Sequence, residues 1–178
     1  MTKYFPTAQV ALAILFSGIA IFVVSAAGTY GTVPYHVDVA RSHLESGLST
    51  NSIPGKILFM NETLNELQAY HGNSGWPYPD ETTNIDNTKR ILSESINEAI
   101  HQIPTDDKDN WMILPHPALN DYLNQQINDS ADRLGYYNAS YMWNPANSFL
   151  LVAIIFTAVG TIGFGIGGCL YNEHKRWN

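Results

Sequence analysis

AQVALAILFSGIAIFVVSAA, residues 8–27, decides how the rest of the chain is read. It carries no Asp, Glu, Lys or Arg, and the charge-free interval around it extends from Lys3 to Asp38. A helix needs about 20 apolar residues to cross the hydrocarbon core of a bilayer, and this run supplies that length. A second run, FLLVAIIFTAVGTIGFGIGGCL at 149–170, lies in another charge-free interval, between Arg133 and Glu173. The segment between the two runs is polar and amphipathic. The pattern predicts an all-α membrane protein in which two transmembrane helices flank an extracytoplasmic four-helix bundle. The expected boundaries are a cytoplasmic N-terminus at 1–7, a first span at 8–31, the bundle at 32–144, a second span at 145–171 and a cytoplasmic tail at 172–178.

Charge orients the chain. Lys3 precedes the first run, and His174, Lys175 and Arg176 follow the second. Short flanks rich in Lys and Arg stay on the cytoplasmic side, so both termini are expected inside and the central domain outside the cell membrane. A secretory reading competes at the N-terminus, because Ser25-Ala26-Ala27 before Gly28 resembles a cleavage site. The run is long for that role. The central segment holds all but one of the chain's 16 acidic residues. An acidic surface argues against nucleic acid and against an anionic membrane surface as partners. Cys169 is the single cysteine, so no intrachain disulfide forms and the domain must hold by packing alone.

Helical periodicity recurs between the runs. Val37, Ala40, Leu44 and Leu48 predict a helix over 34–48. Ile57, Met60, Leu64 and Leu67 predict a second, opened by Pro54 and stopped near Gly72, with His71 continuing its stripe. Ile85, Thr88, Leu92, Ile96, Ala99 and Ile103 predict a third, capped by Thr82 or Thr83 and ended by Pro104. Leu119, Tyr122, Leu123, Gln126, Ile127 and Leu134 predict a fourth, stopped at Gly135. An apolar segment at 111–114 is expected to lie against the bundle. Two glycines and two prolines at 72–80 predict an irregular loop with Trp76 and Tyr78 as its anchors. Those rings are read as a cap on one end of the bundle, with a partner surface as the competing role. Tyr136, Tyr137, Tyr141, Trp143 and Phe149 cluster where the chain approaches its second run, as interfacial aromatic residues do.

Three groups of residues invite a functional reading. Gly160, Gly163 and Gly167 share a helical face in the second run, and small residues let membrane helices approach closely. His36 and His43 share a face of the first predicted bundle helix. With His71 and carboxylates such as Asp38 or Glu45 they form a candidate zinc or copper set. Against that stands the lack of a His-x-x-x-His or cysteine-pair signature, and capping or exposed roles are expected instead. Glu62 with Glu66, and Glu94 with Glu98, are read as solvated helix faces. No nucleophile elbow, phosphate loop or dinucleotide fingerprint occurs, and no cofactor is expected.

The layout resembles the outer bundle of two-span bacterial and archaeal sensors. It departs from them after the second run, where only the short 172–178 tail follows, so a sensor of this form would signal through another protein. The leading expectation is a non-catalytic accessory or structural subunit of a larger membrane complex, with other membrane subunits and the lipid bilayer as partners. The alternative is an extracytoplasmic ligand- or metal-binding module that signals or delivers through a partner. A metal-binding subunit of a membrane oxidoreductase is a third.

Overall fold

A computed structural model describes the backbone of residues 5–103 and 116–144, and the surroundings of side chains from residue 16 onward. Among the described residues the protein is all-helical, with five helices: α1 Phe5–Tyr30, α2 Val33–Ser49, α3 Ile53–Glu66, α4 Ile85–Gln102 and α5 Pro117–Trp143. The chain divides into two compact units, Met1–Thr29 with Pro145–Asn178, and Tyr30–Asn144. Among the described residues no single helix is long and apolar enough to cross a membrane; Phe16–Tyr30 and Val33–Ser49 meet that requirement only when taken together as a bent pair. The 111–114 segment and the glycines Gly160, Gly163 and Gly167 lie outside the described residues.

In the Tyr30–Asn144 unit α2 packs on α3 and α5, α4 packs on α5, and lighter contacts join α3 to α4 and to α5. Four consecutive helices thus surround one core, with α2 and α4 diagonal to each other. Val37, Ala40 and Leu44 of α2 meet Met60 of α3, Leu92 and Ala99 of α4, and Leu123, Ile127 and Leu134 of α5 in that core. Within each helix these residues stand three, four or seven positions apart, the spacings that keep side chains on one helical face.

Local chemistry sets the helix starts. Pro34 and Pro54 occupy first-turn positions, where a missing N–H is harmless. The Ser52 hydroxyl caps α3 by accepting from the Gly55 N–H at 3.0 Å. The cap of α4 is Asn84, whose side-chain oxygen accepts from the N–H groups of Asp86 and Asn87, and not Thr82 or Thr83. Those threonines instead close the preceding turn on Asp80.

Two helix ends differ from the sequence expectation. α3 stops at Glu66 and passes through a turn, so His71 lies beyond it and is exposed rather than in its stripe. Gly72 does take the left-handed conformation, at φ 92°, but in the following loop. α5 runs through Gly135 to Trp143. The stripe Leu119, Leu123, Ile127, Ser130, Leu134, Tyr137 is unbroken across Gly135, and burial of Leu134 and Tyr137 outweighs the roughly 1 kcal/mol helix cost of one glycine.

The α3 stripe is also rotated from the expected one. Its fully buried positions are Ile53, Lys56, Met60 and Thr63, with Leu67 just beyond, while Ile57 and Leu64 are half-buried. Lys56 is 1% exposed. Its ammonium donates to the oxygens of Gly47 at 3.1 Å and Thr50 at 2.6 Å, and to Asn124 Oδ1 at 2.7 Å. Three donors meet three acceptors, two of them carbonyls at the α2 C-terminus, where a cation is favoured by the helix dipole. Burial lowers the Lys56 pKa below the ordinary lysine range.

Candidate functional site

Much of the polar side-chain bonding between elements gathers at one end of the Tyr30–Asn144 unit. The start of α2, the end of α3, the loop to α4, the start of α4 and the end of α5 all meet there. Asn138 Nδ2 of α5 donates to the Pro34 oxygen at 2.9 Å and to Asp38 Oδ1 at 2.6 Å. The Tyr30 hydroxyl donates to the other oxygen of Asp38 at 2.6 Å. Ser74, in the loop, donates to the Tyr137 oxygen at 2.8 Å, and Asn144 Nδ2 donates to the Ser74 oxygen at 3.3 Å. Burial of the Tyr137 phenol pushes its pKa up to about 12, so it stays neutral.

The three candidate histidines are held apart, each against its own carboxylate. His36 Nδ1 meets Glu66 at 2.5 Å, His43 Nδ1 meets Glu62 at 3.2 Å, and His71 Nδ1 meets Asp86 at 2.9 Å. The first two pairs bridge α2 and α3, so Glu62 and Glu66 are helix-to-helix contacts and not the solvated face that their spacing suggested. Between the two pairs the buried Thr63 hydroxyl donates to the Ala40 oxygen at 3.2 Å. Among the described residues no group of three or more His, Cys, Asp or Glu side chains is arranged to hold a metal ion. A Glu-x-x-His spacing, used by dimetal bundles, does occur at Glu98 and His101. Both residues are exposed at the end of α4, and Glu98 accepts from Gln102 Nε2 at 2.9 Å.

Asp86 organises the loop-to-α4 junction. Its carboxylate accepts from the Gly72 N–H at 2.8 Å and pairs with Lys89 at 3.0 Å as well as with His71. The Gly72 hydrogen bond, reinforced by Lys89 and His71 against burial, holds its pKa at about 2. Asp80 is lowered as well, by the Thr82 hydroxyl and the Thr83 N–H. Both carboxylates serve as acceptors for loop backbone, a structural use of charge.

Aromatic rings complete this end. Tyr35, His36 and Tyr70 form a row with centroids 5.4 and 5.2 Å apart, and Tyr30 sits 6.5 Å from Tyr35. Tyr137 and Tyr141 stack at 6.0 Å inside the core or against it. Among the described residues the sequence cluster therefore splits: Tyr137 and Tyr141 pack inward while Tyr136 and Trp143 are exposed, and Phe149 lies outside the described residues.

Trp76 and Tyr78 do not cap the bundle; they are 50% and 86% exposed. The buried anchor of that loop is Ser74. Its role carries no signature in sequence, because a serine between Asn73 and Gly75 reads as turn composition. Compared with known proteins, the chain matches no protein-family model, no curated protein and no solved structure. Any functional assignment therefore rests on the residues themselves.

Proposed function

We propose that the chain is a non-catalytic accessory or structural subunit of a larger membrane protein complex. Its two charge-free runs anchor it, its termini lie on the cytoplasmic side, and its four-helix unit stands on the outer face. One observation carries this reading. The four-helix unit begins and ends at the same end, where Asn138 of α5 bonds to Pro34 and Asp38 of α2. A domain anchored by a span on either side requires that arrangement, since both apolar runs must enter one bilayer. The distribution of Lys and Arg beyond the runs supports the orientation.

The use made of polar residues supports the non-catalytic part. His36 and His43 bridge two helices, Lys56 ties α2 to α3 and α5, and Asp80 and Asp86 fold a loop. Each of these side chains holds the fold together, and none is paired with a nucleophile in the manner of an acid–base catalyst.

The test is mild-detergent solubilisation from the native membrane, native-gel separation and mass spectrometry of the band that contains this chain. Companion subunits in fixed ratio are expected. A lone chain or a homodimer would overturn the proposal and favour the ligand-binding module.

A further inference from the structure

Six aromatic side chains of the Tyr30–Asn144 unit are exposed among the described residues: Tyr30, Tyr35, Trp76, Tyr78, Tyr136 and Trp143. All six lie at the end where the chain enters and leaves the unit. Tyr30 and Tyr35 belong to the entry into α2, Tyr136 and Trp143 to the end of α5, and Trp76 and Tyr78 to the loop that Ser74 and Asn144 join to α5. Phe59 and Tyr122, elsewhere on the helices, are at least half-buried.

The loop that carries Trp76 and Tyr78 is firmly held. Asn73 Oδ1 accepts from the Gly75 N–H at 2.8 Å and from the Thr83 hydroxyl at 2.7 Å, and Asn73 Nδ2 donates to the Asp80 oxygen at 2.6 Å. The Ser74 N–H donates to the Thr83 oxygen at 2.9 Å. Between these fixed points Trp76 and Tyr78 project outward. Large rings held in water by an ordered loop forgo the burial that such side chains ordinarily gain.

We propose that this loop rests in the headgroup layer of the bilayer, with Trp76 and Tyr78 completing an interfacial ring around the two points where the chain enters the membrane. The inference rests on the membrane reading above and adds a third, loop-borne contact to the two spans. Tryptophan and tyrosine suit that layer because the ring is apolar while its N–H or O–H remains hydrated. The lipid chemistry follows from charge. Asp80 and Glu81 directly follow the rings in the chain, and no Lys or Arg lies between His71 and Lys89, so zwitterionic or uncharged headgroups fit and anionic ones do not.

The full-length chain in phosphatidylcholine nanodiscs tests this, with Trp76 as the only tryptophan (W111F, W143F and W177F). Lipids carrying a nitroxide high on the acyl chain should quench its emission, and more strongly than lipids carrying it at the chain end. Replacing part of the phosphatidylcholine by phosphatidylglycerol should not increase the quenching. A second variant keeps only Trp143. If Trp143 is quenched and Trp76 is not, the loop faces away from lipid, and this inference falls while the membrane reading stands. If the chain does not enter nanodiscs at all, both fall together.

Discussion

The hydroxyl of Ser74 donates to the main-chain oxygen of Tyr137 across 2.8 Å, which ties the loop before α4 to the last turns of α5. The Tyr137 oxygen belongs to a helix that continues to Trp143, so Ser74→Ala removes a buried hydrogen bond without breaking the helix. The expected loss is about 1 kcal/mol. Thermal unfolding of the full chain followed by circular dichroism measures it. Hydrogen exchange should rise in the loop before it rises in the helices.

Lys56→Met keeps most of the side-chain volume but leaves the oxygens of Gly47, Thr50 and Asn124 without their buried donor. The expected destabilisation is about 2–3 kcal/mol, because unmatched buried acceptors cost more than a formed bond contributes. Adding Asn124→Leu removes one stranded acceptor and should restore part of the loss. Additive losses in the double variant would show that Lys56 and Asn124 are not coupled.

Asp86 predicts an acid-labile loop. Its folded pKa of about 2 lies below the ordinary aspartate value, so the unfolded chain binds more protons between the two. The stabilisation is complete above about pH 4 and is lost as pH falls toward about 2. Asp86→Asn should melt at lower temperature near neutrality and show a shallower decline across that acid window. Parallel decline in the two proteins would contradict the assignment.

Gly75 permits a close approach that no other residue allows. A Cβ there would stand 2.6 Å from Pro79 Cα and 2.5 Å from Thr83 Oγ1. Pro79 Cα is backbone and cannot swing aside, so Gly75→Ala must displace the loop that carries Trp76. The expected result is a changed Trp76 emission maximum and faster proteolysis within 72–84, with the melting of the helices lowered by about 1 kcal/mol or less.

Much of the helical unit is legible in the sequence. The α4 stripe from Ile85 to Ala99 is buried as its periodicity predicts, because a strongly segregated helix has one way to face a core. The ends are less legible. Gly135 reads as a stop, yet Tyr137 lies three positions past Leu134 and seven past Ser130 on the same face, and tertiary burial carries the helix through. Lys56 stands outside the apolar stripe of Ile57, Met60, Leu64 and Leu67 that the periodicity predicts, yet it is buried. Only the fold brings Gly47, Thr50 and Asn124 around it, the last of them 68 positions away in sequence. The histidine spacing of α2 is visible, but the carboxylates that engage it come from α3, where Glu62 and Glu66 read as a solvated pair. Trp76 and Tyr78 read as anchors because large rings usually bury themselves. The residue that anchors the loop is the small Ser74, through bonds that no local pattern announces.

The most direct test of the central claim is the sidedness of the four-helix unit in intact cells. In a Cys169→Ser background, one reporter is Ser93→Cys on the exposed face of α4, and a second is Asn178→Cys at the end of the chain. A membrane-impermeant maleimide should label the Ser93→Cys protein without lysis and the Asn178→Cys protein only after lysis. Labelling of both only after lysis, or recovery of the chain away from membranes, would contradict the account.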